Sequence, residues 1–445
     1  MTKPTQSREL AYEILMEILE KGGYSHVVLR QALEKYQYLE KQDRALITRL
    51  AEGTVEYLLT IDEIISRFSR VPVKKLKPAI RTILRMSVYQ IFWMDRIPDR
   101  AVCSEAVSLA ESRRFGSLKG YVNGVLRSVI REKDGISFDD WSLKYSMPRW
   151  LVDMWREQYP EHIVEGMLQA FLGEMPTAVR CNQNLADISA VKESLARQGV
   201  QAGENTAFPG TLMLSGYDYL EGLEAFQNGW IQVQDPSSSL VCRAAAPEPG
   251  SQVLDICAAP GGKSLHMADM LGGTGMVTAR DLTEQKALMI RENIRRTGFS
   301  NIQVQVWDAL RFDPQWEGKA DIVLADLPCS GFGIIGKKPD IKYQASPEKI
   351  RELAVLQRQI LSVAVRYVKP GGRLVYSTCT VSRQENEDQR EWFLRSFPEF
   401  VPGDLRKRLG SGLARPGLEE GYIQLLPGQD PCDGFFIALF EKKKI

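Results

Sequence analysis

Histidine is scarce, and the cysteines follow no recognisable spacing. Three histidines and seven cysteines without a C-x-x-C pair supply no zinc-ligand set, so no metal site is expected. An odd cysteine count, spread from Cys103 to Cys432, does not read as a disulfide framework, and reduced thiols are expected. Long apolar runs are missing too. Nothing approaches the roughly 18–20 residues that span a bilayer, and the start, Met1-Thr2-Lys3-Pro4, lacks the apolar stretch of a secretory signal. The expectation is a cytoplasmic protein with no membrane partner. Excess charge of one sign is absent: 57 basic side chains face 56 acidic ones, with 44% hydrophobic residues, which excludes disordered, collagen-like and extreme-charge classes.

A chain of 445 residues exceeds the roughly 250–300 at which single cores stop growing, so two or three domains are expected. Residues 6 to 133 carry apolar side chains three and four apart, as in Leu10, Ile14, Leu15 and Ile18, which predicts an all-helical domain. Residues 134–150 have loop-like composition, with Gly135, Pro148 and clustered acids, and read as a linker. Next come a strand over 177–182, a helix over 188–198 and an apolar run at 211–214, the texture of a small α+β module. After residue 231 strand, turn and helix repeat, with strands expected at 253–257, 276–281, 302–308, 320–326 and 373–378. A last run at 434–440 is expected as an antiparallel edge strand. The reading is multidomain: all-α over 1–140, small α+β over 141–230, and an α/β Rossmann-like domain with a doubly wound parallel sheet over 231–445.

The charge balance hides an asymmetry. Residues 1–150 hold 25 basic and 19 acidic side chains, a net of +6, leaving 32 against 37, or −5, for the rest. Between Ile64 and Met94 lie Arg67, Arg70, Lys74, Lys75, Lys77, Arg81 and Arg85 with no acid, the pattern of a surface that approaches phosphates or of a solvated helix face.

Ligands of open α/β sheets bind at the carboxyl ends of strands. The first strand of the last domain runs into Cys257-Ala258-Ala259-Pro260-Gly261-Gly262-Lys263, where two glycines admit a ligand close to the backbone and a helix start offers unpaired amides. The spacing is neither a dinucleotide fingerprint nor a Walker loop. Asp281 closes the next strand about 20 residues later, where an acid accepts ribose hydroxyls, and Asp308 closes the third, placed to read an adenine edge. An adenosine ligand with a carboxylate for the glycine loop and a cation for the acids is S-adenosylmethionine, the cofactor expected here.

The fourth and fifth strand ends bring Asp326-Leu327-Pro328-Cys329-Ser330-Gly331 and Thr378-Cys379-Thr380 to one crevice. A buried cysteine is more often an inert small hydrophobe, and that reading holds for Cys103, Cys181, Cys242 and Cys432. Cys329 and Cys379 differ because each stands in a turn at a strand's active end. A thiolate is the soft nucleophile that carbon 6 of a pyrimidine requires before carbon 5 becomes enamine-like. Asp326, held protonated or sharing a proton with ring nitrogen 3, would stabilise that adduct.

The runs at 257–263 (CAAPGGK), 326–331 (DLPCSG), 338–343 (KPDIKY), 376–380 (YSTCT) and 433–436 (DGFF), with the segment from Gly229 to Ser239, resemble the RNA cytosine-5 methyltransferases. Gln42-Asp43-Arg44-Ala45 and the run from Tyr121 to Arg127 resemble the NusB-like RNA-binding domain of that family's bacterial 16S ribosomal RNA branch. A monomer is expected, and the resemblance implies an enzyme acting on one cytosine of 16S ribosomal RNA, with Cys379 as nucleophile and Cys329 assisting release. It implies cofactor contacts from Cys257 to Lys263 and from Asp281, Asp308 and Asp326. Other readings are a methyltransferase for another RNA and a non-catalytic RNA-binding or antitermination factor. An amino-directed methyltransferase would need an Asn/Asp-Pro-Pro-aromatic turn where Asp326-Leu327-Pro328-Cys329 stands.

Overall fold

Helical periodicity at the front of the chain becomes helices α1 (Pro4–Lys21), α2 (Ser25–Lys35), α3 (Lys41–Glu56), α4 (Leu58–Phe68), α5 (Pro78–Trp93), α6 (Asp99–Ser112) and α7 (Lys119–Glu132). In the computed structural model, which describes residues 4–173, 176–205, 207–410, 413 and 415–444, α5 lies at the centre of this bundle. Pro78 opens it at a position whose amide would have no intrahelical partner. Ile83, Leu84, Val88 and Tyr89 are fully buried against Leu15, Leu50, Ile61 and Leu126. A helix buried on nearly every side can carry arginine only if its charge is met. Arg85 is met by Asp62 through two hydrogen bonds of 2.7 Å, and Arg81 by Glu20. Two of the seven cations of the acid-free stretch are therefore internal ion pairs, and Arg67 pairs with Glu63 one helical turn away. Arg70, Lys74, Lys75 and Lys77 are exposed.

The break expected at 140/141 falls inside this first unit, which comprises Met1–Leu172 together with Ile335–Gln344. Asp140 accepts the Ser142 amide (2.8 Å) and so starts another helix, α8 (Trp141–Lys144). It is followed by α9 (Arg149–Gln158) and α10 (Glu161–Phe171), whose Trp155, Met167 and Leu168 are buried. Ile335–Gln344, expected within the last domain, folds here as well. Asp340 accepts from the amide (3.3 Å) and hydroxyl of Ser25, and Lys342 donates to the Glu56 carbonyl at 2.7 Å. Burial pushes the Lys342 ammonium down to about 7.

The second unit, Gly173–Ile334 with Ala345–Ile445, holds two sheets. The smaller has strands β1 (Thr177–Cys181), β2 (Gln201–Glu204), β3 (Thr211–Ser215) and β4 (Ile231–Val233) in the antiparallel order β2-β3-β1-β4. The helix Ile188–Arg197 sets Val191 and Leu195 into its core. β2 escapes a hydrophobic-pattern reading because Gln201-Ala202-Gly203-Glu204 is mostly exposed.

The larger sheet contains β5 (Gln252–Asp255), β6 (Met276–Asp281), β7 (Ile302–Val306), β8 (Ala320–Asp326), β9 (Val368–Thr378), β10 (Phe400–Pro402), β11 (Tyr422–Leu425) and β12 (Phe435–Lys442). Its order is β10-β12-β9-β8-β5-β6-β7, with β11 also on β12. β5 to β9 pair in parallel, and the last strand, β12, is antiparallel as expected, joined by antiparallel β10 and β11, so the sheet is mixed. Nor is β12 an edge. β9 covers one side of it and β10 and β11 the other, as a run with Phe435 to Phe440 at most 3% exposed requires. The chain builds β6 and β7 on one side of β5, then returns to place β8 on the other. That reversal opens a crevice at the carboxyl ends of β5 and β8.

Candidate active site

Each wall of the crevice follows from a local sequence rule. β5 ends at Asp255 and leads through residues 257–263 into the helix Gly262–Met270. Gly261 has φ +104°, a conformation that excludes side chains, and a Cβ there would sit 3.2 Å from Ile290 Cγ2. The loop is held by backbone: the Ala258 amide donates to Arg280 O (2.8 Å) and the Gly261 amide to Ala258 O (2.7 Å). Asn293 holds the Pro260 carbonyl at 3.0 Å. β6 delivers Asp281, 4% exposed, whose Oδ2 accepts the Ala259 amide at 2.9 Å and whose Oδ1 accepts the Leu282 amide at 2.8 Å and Lys286 Nζ at 3.0 Å. Asp281 thus anchors the glycine loop. β7 stops at Val306, two residues earlier than expected, and Asp308 stands beyond it in a turn, accepting the Leu310 amide at 2.9 Å.

β8 ends at Asp326 because Pro328 cannot donate to a ladder and restricts the residue before it. Both Asp326 oxygens accept hydrogen bonds, Oδ2 from Lys263 Nζ (2.6 Å) and Oδ1 from Ser377 Oγ (2.7 Å). Burial works against the Lys263 ammonium, but Asp326 in contact with it, together with nearby Asp255 and Cys242, holds the group above its ordinary value. Asp326 therefore stands in hydrogen-bond contact with Lys263 and Ser377 rather than alone in the crevice.

Cys329 and Cys379 come together as expected, their sulfurs 3.4 Å apart. Backbone bonds join their turns: the Leu327 amide to Ser377 O (3.1 Å) and the Gly333 amide to Cys379 O (3.0 Å). The Cys329 thiol is pushed well up by its hydrogen bond to Cys379, then by burial, with Glu385 and Asp326 adding to it. Cys257 lies in the loop, its thiol held up by burial and by the carboxyl groups of Asp281, Asp255 and Asp326. Cys103, Cys181, Cys242 and Cys432 are buried, with Cys242 pushed up to about 12 by burial.

Four residues here were not singled out by sequence. Asp255, held at about 7 by burial, accepts from Ser264 Oγ (2.6 Å), and its Oδ1 is buried with no hydrogen-bond partner. Its position at a strand end before a glycine loop is a signal that could have marked it. Leu282 and Leu310, 59% and 43% exposed, follow Asp281 and Asp308 and offer apolar surface beside the acids. Glu385, fully buried, lies six residues beyond Cys379 and reaches across to the Cys329 turn, 55 residues away from Ser330 in sequence, with no local signature of that contact.

An adenosyl sulfonium amino acid suits this crevice. Asp255 has an open acceptor, Asp281 and Asp326 add carboxylates for hydroxyls and a cation, and Leu282 and Leu310 supply apolar faces for a base. Among the described residues no cluster of His, Cys, Asp and Glu could hold a metal ion, and no helix is long and apolar enough to cross a membrane.

Fold and crevice together are those of a methyltransferase, and comparison with known proteins defines its kind. Residues 243–441 match the family model described as 16S rRNA methyltransferase RsmB/F, residues 5–131 the NusB family, and residues 147–217 the ferredoxin-like domain of RsmF/B-like methyltransferases. The chain is 37% identical over 452 residues to the probable ribosomal RNA small subunit methyltransferase B of Bacillus subtilis (strain 168), covering 99% of this chain and all of the relative. It is 31% identical to ribosomal RNA small subunit methyltransferase B of Klebsiella pneumoniae subsp. pneumoniae, with both chains covered in full. The crystal structure of PH0851 aligns over 99% of this chain and all of that one, with TM-score 0.85 and 28% identity. A structure of NSun6 from Pyrococcus horikoshii with SFG shares the fold over 67% of this chain and 99% of that chain (TM-score 0.60, 21% identity). The site is that of an S-adenosylmethionine-dependent ribosomal RNA methyltransferase. The chain belongs to the ribosomal RNA small subunit methyltransferase B family.

Proposed function

We propose that the protein methylates carbon 5 of one cytosine in 16S ribosomal RNA, with Cys379 as the nucleophile. The observation that carries the reading is the pair of sulfurs 3.4 Å apart beside the Lys263–Asp326 pair. The Cys379 sulfur adds to carbon 6 as its thiol proton passes, by way of the Asp326 carboxyl group, to ring nitrogen 3, where the displaced ring electrons collect, with Lys263 hydrogen-bonded to Asp326. Carbon 5 is then nucleophilic. When bound, S-adenosylmethionine supplies the electrophilic methyl group. Residues Cys257, Ala258, Ala259, Pro260, Gly261, Gly262 and Lys263, with Asp281, Asp308 and Asp326, would hold it.

Completion requires loss of the carbon 5 proton and departure of Cys379. Cys329 fits that second task. While Cys379 is a thiol, their mutual hydrogen bond is the first cause holding the Cys329 proton; once Cys379 is a thioether that cause is gone, and Cys329 gives its proton to solvent and stands as a thiolate. It takes the carbon 5 proton, the double bond re-forms, and the Cys379 thiolate leaves.

The functional division we propose is RNA binding by residues 1–140, a recognition module over 141–230 and chemistry in 231–445, in a cytoplasmic monomer. Exposed Arg70, Lys74, Lys75 and Lys77 support phosphate contact from the first of these. The test is transfer of tritiated methyl groups to unmodified small-subunit RNA, followed by digestion and base mapping. Label in 5-methylcytosine at one position is expected, and label in another base or only in another RNA would refute the reading.

A further inference from the structure

The two cysteine turns belong to different strands, and neither thiol has a covalent reason to stay near the other. Beyond the backbone bonds that join the two turns, the residues next to both thiols are tied by the side chain of an acid with no exposed surface. Glu385, in the short helix Arg383–Glu385, accepts the Ser330 amide on Oε1 at 2.8 Å and the Ser330 hydroxyl on Oε2. Ser330 directly follows Cys329. The Ser330 hydroxyl lies 2.6 Å from Thr380 Oγ1, and Thr380 directly follows Cys379. Gln357 donates to Glu385 Oε1 (3.1 Å) and to the Pro328 carbonyl (2.9 Å), so Cys329 is bracketed from the residue before it and the residue after it.

The directions of these bonds are settled by what each group can donate. A carboxylate only accepts, so Ser330 gives its single hydroxyl hydrogen to Glu385 and must accept from Thr380. Thr380 in turn accepts the Phe332 amide at 3.3 Å. The result is one directed chain, Phe332 amide to Thr380 to Ser330 to Glu385, that ties both turns to one buried carboxyl group. Burial raises the Glu385 carboxyl, and the Ser330 bonds oppose that rise.

We propose that Glu385 is a positioning residue that sets the separation of the Cys329 and Cys379 sulfurs, and through it the release half of the reaction. Glu385 does not meet the base. The inference rests on the proposed roles of the two cysteines for its catalytic consequence only; the clamp itself is testable without RNA.

A trivalent aryl arsenical, phenylarsine oxide, forms a stable complex only with two thiols within mutual reach, and titration of the intact protein with it reads the sulfur pair directly. Wild-type protein is expected to take up one equivalent tightly, and either Cys329→Ala or Cys379→Ala to lose it. Glu385→Ala should weaken that uptake by about tenfold or more, the loss of at least one charge-assisted hydrogen bond. Glu385→Gln, which keeps the reach and one acceptor oxygen, should recover most of it. S-adenosylmethionine binding within twofold of wild type checks that the variants are folded, and with RNA Glu385→Ala should accumulate the covalent adduct that Glu385→Gln resolves. Wild-type arsenical uptake by folded Glu385→Ala would overturn the inference, as would a Glu385→Gln no better than Glu385→Ala. Methyl transfer by Cys379→Ala would instead refute the proposed chemistry and leave the arsenical result standing.

Discussion

Removing the Asp281 carboxylate tests whether strand-end acids build the cofactor site. Asp281 accepts the Ala259 amide at 2.9 Å and the Leu282 amide at 2.8 Å, and it is 4% exposed. Hydrogen bonds to a charged group contribute about 1.5–3 kcal/mol each. The Leu282 bond is local, and Lys286 is half exposed, so neither is counted. Loss of the Ala259 bond alone frees the middle of the glycine loop, and re-ordering it on binding corresponds to about 10- to 100-fold weaker cofactor affinity in Asp281→Ala. Asp281→Asn keeps an acceptor oxygen for Ala259 and should fall between. Asp308→Ala, whose bond within the protein is a local one to Leu310, leaves the glycine loop anchored and should cost less than Asp281→Ala. Titration calorimetry with S-adenosylmethionine measures all three, with RNA affinity followed in parallel. Unchanged cofactor affinity in folded Asp281→Ala would refute the reasoning and leave Asp281 a strand cap.

Reversing Lys74, Lys75 and Lys77 to Glu should weaken RNA binding and flatten its salt dependence by about 0.7–0.9 in log–log slope for each phosphate no longer neutralised. A folded triple variant with the wild-type slope would move recognition elsewhere. Lys342 predicts a pH dependence of the first unit. With its ammonium near 7 in the fold and 10.5 when unfolded, the unfolded chain holds a proton that the folded chain lacks throughout that window. Stability should therefore rise with pH above about 7, by up to about 1.4 kcal/mol per pH unit, and Lys342→Met should remove that rise. Urea midpoints at about pH 7 and pH 9 compare the two proteins, and parallel pH profiles would count against the buried lysine.

Much of the catalytic half could be read from the sequence because its signals are local. Apolar runs of strand length ending in Asp281 and Asp326, and a glycine loop between strand and helix, put chemistry at strand ends without knowledge of the fold. The cysteines converged for the same reason: β8 and β9 are parallel neighbours, so turns leaving both at one end must meet. What was not legible depends on distant partners. Arg81 and Arg85 look like surface cations until Glu20 and Asp62 arrive from other helices. β12 reads as an edge because nothing in its own sequence announces β10 and β11. Glu385, 55 residues from Ser330, is one more acid until the chain is folded. Ile335–Gln344 follows the Cys329 turn closely in sequence, yet its polar residues are satisfied by Ser25 and Glu56 of the helical unit.

The central claim is that Cys379 joins the RNA covalently while Cys329 lets it go. Cys329→Ala, incubated with S-adenosylmethionine and unmodified small-subunit RNA, should yield a complex that survives denaturant, and mass spectrometry should place the nucleotide on Cys379. Cys379→Ala should bind cofactor normally, form no adduct and turn over no RNA. A nucleotide on Cys329 in Cys379→Ala, with none on Cys379 in Cys329→Ala, would contradict the assignment and reverse the two roles.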